Sequence, residues 1–188
     1  MNKNLIKQFI EEHLEAVEKF DELKISDAVK LMIKTIESGS KIFWCGNGGS
    51  ASQANHLSAE LIGGMYKNKI NPFNSICLNV DTAFLTAWSN DDSFENIFSR
   101  QLQANGKKGD ILVGLSTSGN SNNINNAAAY AKTLGIKVIS LTGNDGGKLK
   151  RISDLNINVD SSSTQRIQEM HILIGHIICD LIEKNYIS

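Results

Sequence analysis

The sequence predicts an α/β fold: a five-stranded parallel sheet flanked by helices, with a helical hairpin in front of it. Three observations lead there. Five short apolar runs alternate with stretches of helical periodicity, which calls for crossover connections and parallel strands covered on both faces. Residues 1–38 hold no such run, and their apolar residues recur at helical spacing instead. Two of the apolar runs end in clusters of small residues that lead straight into a helical stretch.

Each element follows from its residues. Leu5, Ile6, Phe9, Ile10, Leu14, Val17 and Phe20 mark the inner stripe of a first helix. A second is expected from Ser26, whose hydroxyl suits an N-cap, with Ala28, Val29, Met32, Ile33 and Ile36 facing inward and Gly39 ending it. A short turn between them makes a hairpin with one apolar side. Residues 41–45, 75–79, 111–115, 138–141 and 155–159 read as buried strands. Helices are expected at 50–65, 93–105, 121–134 and 146–152. A final helix covers 164–184, and its middle, 172–182, is apolar nearly all round. Such a helix needs burial on most sides, which in a chain of this size points to packing against another subunit. Pro72 is the one proline, and no linker or repeat interrupts the chain. Residues 1–188 therefore read as one domain, with 1–38 the hairpin and 39–188 the α/β core and last helix.

Composition narrows the function. Nineteen Lys and Arg balance 20 Asp and Glu, for a formal charge of -1, so there is no electrostatic footprint for nucleic acid or a membrane surface. No apolar run approaches ~18 residues, and no membrane span is expected. Residues 1–7 lack the apolar core and cleavage site of a signal peptide. Cys45, Cys77 and Cys179 are odd in number, far apart and set in apolar runs. They read as small buried hydrophobes in a reducing cytoplasm.

In open parallel sheets, ligands bind beyond the carboxyl ends of the strands. Two such ends stand out: Cys45-Gly46-Asn47-Gly48-Gly49-Ser50 and Ser116-Thr117-Ser118-Gly119-Asn120-Ser121. Both permit close backbone approach and precede a helix N-terminus, where free amides and the dipole favour an anion. Ser116, Thr117, Ser118 and Ser121 add hydroxyls suited to phosphate oxygens. Neither segment is a Walker loop or a G-x-G-x-x-G, so no nucleotide cofactor is expected, and a small phosphorylated metabolite is the better match. A plain turn with an N-cap accounts for one such loop; two together argue for binding.

On the helix after the first loop, His56 and Glu60 are four residues apart and share a face. Such a pair suits metal binding or proton transfer, and equally a solvated contact. The last helix carries Gln168, Glu169, His171 and His176. His176, inside the apolar stretch, needs a polar partner, either in a site or at a backbone carbonyl. Ser89-Asn90-Asp91-Asp92 suits a cap for the next helix or contacts to a polyhydroxy ligand.

These segments together resemble the phosphoheptose isomerases of the sugar isomerase (SIS) superfamily. The resemblance rests on 45–52, His56 to Gly63, Ser89-Asn90-Asp91, 116–121 and Arg166 to His171 with His176, and it spans nearly the whole chain. It implies conversion of sedoheptulose 7-phosphate into D-glycero-D-manno-heptose 7-phosphate through an enediol, the first step of bacterial ADP- and GDP-heptose synthesis. It implies substrate contacts from Asn47, Gly48, Gly49, Ser50, Glu60, Asn90, Asp91 and Gln168, with Ser116, Thr117, Ser118 and Ser121 on the phosphate. Glu60 and His176 would be the acid–base pair. His56, Glu60, Gln168 and His176 would be zinc ligands, in a homotetramer. A non-catalytic SIS protein, such as the replication-initiator-associating protein, keeps the glycine-rich loop but has no use for Glu60, Gln168 and His176 together. Two positions depart from the family pattern: Gly64, often Arg, and Gln165, often Asp.

Helix geometry adds one expectation. Gln168 and His176 lie about 12 Å apart along one helix and about 80° apart around it, whereas metal–ligand bonds are ~2 Å. If both serve one zinc, one of them comes from a neighbouring chain, and the active site is shared between subunits.

Overall fold

The computed structural model describes residues 3–66 and 71–187; the first two residues of the segment assigned to the hairpin lie outside them. Helices α1 (Lys3–Glu18) and α2 (Glu22–Glu37) precede β1 (Ile42–Gly46) and α3 (Gly49–Gly63). Then come β2 (Ser75–Cys77), α4 (Thr82–Asp91), a 3-10 turn (Phe94–Asn96), α5 (Ile97–Asn105), β3 (Ile111–Ser116) and α6 (Asn122–Thr133). The chain closes with β4 (Lys137–Gly143), α7 (Gly147–Ile152), β5 (Leu155–Val159) and α8 (Thr164–Lys184).

The five strands form one sheet in the order β2-β1-β3-β4-β5, every neighbouring pair parallel. Period-two alternation sends Ile42, Trp44, Val113, Leu115, Ile139 and Leu141 into one layer, with α2, α3 and α8. Phe43, Cys45, Leu112 and Val138 enter the other, with α5, α6 and α7. Both faces are covered, which is why β1 and β3 are apolar nearly throughout, while the buried Ser140, Thr142 and Asn156 of β4 and β5 bond to one another.

Three local expectations change. First, α2 starts at Glu22 because Asp21, not Ser26, caps it: the Asp21 carboxylate accepts from the Lys24 amide at 3.1 Å. Asp caps as well as Ser, so the helix begins a turn earlier. Second, α4 was hidden from the sequence. It has no fully buried residue, and Phe84, Leu85 and Trp88 are only half-buried against the second layer, so its apolar periodicity is weak. Asp81 caps it, accepting from the Phe84 amide at 3.0 Å. Third, Ser93 caps only the short 3-10 turn, and α5 starts at Ile97.

The last helix finds most of its cover inside the chain. α8 packs on α1, α2, α3, β4 and β5, burying Ile167, Met170, Ile174, Ile178 and Ile182. Of its large apolar residues, only Leu181 stays substantially exposed, at 42%. A half-exposed apolar stripe lies instead on α1, where Leu5, Ile6, Phe9, Ile10 and Leu14 are 45–56% exposed. All three cysteines are free and buried, and burial pushes the Cys179 thiol up to about 12, which leaves it inert. Among the described residues, no helix is long and apolar enough to cross a membrane.

Candidate active site

The sheet order reverses at β1. Its chain successor β2 lies on one side, while β3 and the later strands lie on the other. That topological switch point opens a crevice between the ends of β1 and β3, and the two small-residue loops flank it.

Side-chain amides brace the first loop from both sides. Asn79 donates to the Gly46 carbonyl at 2.9 Å and accepts from the Gly46 amide at 3.1 Å. Across the crevice, Asn47 and Asn123 exchange a pair of hydrogen bonds at 2.9 and 2.8 Å. A cavity of about 550 Å³ opens beside this loop, lined by Asn47, Gly48, Asn79, Thr86, Ser89 and Asn90 among others. Asn90 also donates to the Asp91 carboxylate at 2.9 Å. Ser50 lies in the first turn of α3 and is buried.

The second loop turns back on itself. The Gly119 amide donates to the Ser116 carbonyl at 3.0 Å, and the Ser116 and Ser121 hydroxyls meet at 3.2 Å. Gly119 has φ +64, and a Cβ there would lie 2.0 Å from the Gly146 carbonyl oxygen; only glycine fits. Ser121 stands at the N-cap of α6, yet its side chain makes no cap bond. Thr117 is half-buried and Ser118 exposed.

The candidate acid–base residues lie further along α3, where it meets α8. The two helices run side by side in one direction. Gln53 donates to the Gln168 carbonyl at 2.7 Å, and the Cys179 thiol reaches the Leu57 carbonyl at 3.9 Å. Between these points Leu57 covers Gly175 so closely that a Cβ there would lie 2.4 Å from a Leu57 methyl. That contact draws the flanking residues together. His176 Nε2 lies 3.0 Å from His56 Nε2, which lies 3.0 Å from Glu60 Oε1. The three ligand atoms all fall within 4.8 Å of one another.

Two imidazoles and a carboxylate are the donor set of a catalytic zinc site with an open position. Ligands ~2.0 Å from a tetrahedral metal sit roughly 3.3 Å apart, close to these spacings. The cluster is compatible with zinc. Gln168 is placed elsewhere, its carboxamide over the start of α3, where a Cβ on Gly49 would come within 2.8 Å of it. Gly49 and His56 are about two helical turns apart. Glu60 and His176 of one chain are thus neighbours, and Gln168 is the residue that stands apart from them. The histidine bonded to a backbone carbonyl is His171, with Nε2 3.1 Å from the Thr142 oxygen, and burial holds its pKa down at about 4.

Sequence reasoning missed Asn79, Asn123, Gln53 and Gly175. Two had a signal. Five asparagines in the seven residues 120–126 are poor helix formers and hint at side chains held for another purpose. A glycine inside an apolar helix costs about 1 kcal/mol relative to Ala, which suggests a close helix contact. Of the two family departures, Gly64 ends α3 at φ +76, where a side chain would be strained. Gln165 is exposed, its carboxamide oxygen accepting from the Ser163 hydroxyl at 3.2 Å.

The SIS domain family model matches residues 7–143. A phosphoheptose isomerase from Helicobacter pylori is 49% identical, over 99% of this chain and 98% of its own. The solved structure of a phosphoheptose isomerase from Neisseria gonorrhoeae is 40% identical, with a TM-score of 0.87 over 96% of both chains. That of one from Francisella tularensis is 35% identical, with a TM-score of 0.90 over 96% of this chain and 95% of that one. With its sheet order, its paired loops and this extent of identity, the chain belongs to the SIS domain family and, within it, to the phosphoheptose isomerases.

Proposed function

We propose that the chain is an aldose–ketose isomerase that converts sedoheptulose 7-phosphate into D-glycero-D-manno-heptose 7-phosphate, feeding nucleotide-activated heptose synthesis. The observation that carries this reading is the meeting of Glu60, His56 and His176 from two helices, in a chain 49% identical to a phosphoheptose isomerase.

The substrate has its phosphate at one end and its reacting carbonyl near the other. The phosphate is assigned to Ser116, Thr117, Ser118 and Ser121, supported by the N-terminus of α6, where the Ser121 hydroxyl makes no cap bond. Asn47, Gly48, Gly49, Ser50, Asn90 and Asp91 are assigned to the sugar hydroxyls. At the carbonyl end, Glu60 takes the proton from C1, and the electron pair of that C–H bond forms the C1=C2 bond of a cis-enediol. His176 serves the adjacent oxygens, supplying a proton at O2 and removing the one at O1 as the C1 aldehyde forms. Glu60 returns its proton to C2. Carbon-bound hydrogen has moved by one position with no net redox change, so no nicotinamide or flavin is required. His56, Glu60 and His176 would hold zinc, which when bound supplies a Lewis acid for the carbonyl and the enediolate oxygens.

The enzyme is proposed to work in the cytoplasm as a homotetramer with shared sites. The half-exposed apolar stripe of α1 supports burial against another copy. So does an apolar cleft of about 450 Å³ between α2 and α8, lined by Phe20, Ile25, Val29, Ile33, Ile177 and Leu181. Gln168 sits far from its own chain's His176, so in this reading it serves a neighbour's site. Mixing Glu60→Gln subunits with Gln168→Ala subunits under exchange then restores part of the activity. Mixing Glu60→Gln with His176→Ala does not, because each site draws both from one chain. No recovery in the first mixture, with exchange proven, would refute the sharing.

The function itself is tested by incubating the zinc-loaded protein with sedoheptulose 7-phosphate and following the anomeric protons of the aldose by NMR. Conversion to an equilibrium mixture is expected. Folded protein that binds the sugar phosphate without turning it over would instead be a non-catalytic SIS protein.

A further inference from the structure

We propose that Asn123 is a positioning residue: it orients the Asn47 carboxamide toward the substrate and locks the sugar loop in register with the phosphate loop. The inference rests on the reading of Asn47 as a substrate contact.

Asn123 is only 2% exposed, although it lies in the first turn of α6, two residues after Ser121. Its carboxamide turns away from solvent and pairs with Asn47 through two hydrogen bonds, 2.9 and 2.8 Å long. The Asn123 oxygen also accepts from the Ile124 amide at 2.9 Å. That third bond decides the orientation of both side chains. A backbone N–H needs an acceptor, so the oxygen of Asn123 must face it. The Asn123 NH2 group must then face the Asn47 oxygen, and the Asn47 NH2 group must face the Asn123 oxygen.

A primary amide has two N–H donors and two acceptor lone pairs. Asn47 uses one of each on Asn123. One donor and one acceptor remain, with their positions set, beside the cavity that Asn47 lines. Sugar hydroxyls both donate and accept, so a fixed donor–acceptor pair suits them. The pairing also spans 76 positions of sequence and joins the end of β1 to the helix after β3. To the pairing of β1 with β3, this buried side chain adds a direct link between the sugar loop and the helix that follows the phosphate loop.

The test is a double-mutant cycle on steady-state kinetics, with thermal unfolding and inhibition by inorganic phosphate measured on every variant. Asn123→Ala and the near-isosteric Asn123→Leu should each lower kcat/KM roughly 10- to 100-fold, the scale of two lost amide hydrogen bonds with a mispositioned contact. Because Asn47 aligns the reacting sugar, the loss should fall mainly on kcat. Phosphate inhibition should stay within about twofold of wild type, since the hydroxyl loop is intact. In an Asn47→Ala background, the Asn123 changes should cost nothing further. Losses that multiply in the double variant, or a phosphate inhibition constant that weakens in parallel, would overturn the proposal by showing that Asn123 acts directly on phosphate. If one Asn123 variant melts early, the other, or either at reduced temperature, carries the cycle. Wild-type kinetics in Asn47→Ala would instead remove Asn47 as a substrate contact and leave the amide pair a structural brace.

Discussion

At the strand ends, the binding groups are short, partly backbone-borne and braced before any ligand arrives, whereas on α3 and α8 three long side chains meet only because two helices pack closely. The loops hold their shape through local bonds, such as Gly119 to Ser116, and through amide pairs such as Asn47 with Asn123. The His56–Glu60–His176 cluster joins one local contact, His56 to Glu60, to a long-range one, His176 to His56. Its geometry depends on the Leu57–Gly175 contact in the core beneath it. The difference matches two tasks. Anchoring a phosphate needs many weak donors in fixed positions, and moving a proton needs a few side chains of suitable basicity at one carbon.

Removing the anchored group should have the largest effect. In the proposed site, several charge-assisted hydrogen bonds, each ~1.5–3 kcal/mol, would act on the phosphate. Unphosphorylated sedoheptulose should therefore show kcat/KM at least roughly 1,000-fold below that of the 7-phosphate, with inorganic phosphate competing. Equal rates for the two sugars would detach the 116–121 loop from substrate binding.

Next is the base. Glu60→Gln keeps the shape but removes the basic carboxylate, and turnover should fall at least ~100-fold in a protein that folds normally. Near-normal turnover would exclude Glu60 from the chemistry.

Gly175→Ala probes the helix contact without touching the cluster. Alanine favours the helix by about 1 kcal/mol, yet its methyl must displace Leu57, which is fully buried. We expect roughly tenfold weaker zinc binding, measured by competition with a chelator, and a smaller change in phosphate inhibition. If both change equally, the two halves of the site are not independent.

The smallest effect concerns the frame they share. His171 joins α8 to the end of β4, and burial lowers its pKa from 6.5 to about 4. The unfolded chain therefore binds the proton more readily than the folded one. This contribution is complete above pH 6.5 and is lost as the pH falls toward 4. About 1 kcal/mol should be gone by pH 5.5, seen in denaturant titrations across that range. His171→Gln should remove that part of the pH slope. An unchanged slope would assign the acid sensitivity to other groups.

The fold was largely legible because burial imposes period on sequence. Strands covered on both faces are mostly apolar, and helices on a sheet repeat near 3.6. Where burial is slight the signal fades, and α4, with no fully buried residue, could not be read. Caps are ambiguous for another reason: Asp21 and Ser26 carry equivalent chemistry, and only the packed length of α2 chooses between them.

By itself the sequence determined the strands, the two loops at strand ends, and the pairing of His56 with Glu60 on one helix face, because each depends on neighbours within a few residues. Tertiary structure alone decided which distant residues meet. It brought His176 to His56 and Glu60, sent Gln168 to Gly49, and joined Asn47 to Asn123 across the crevice. Those meetings depend on how α8 lies along α3 and how β1 sits beside β3. Both are set by close packing summed over the whole core, which no local spacing in the chain encodes.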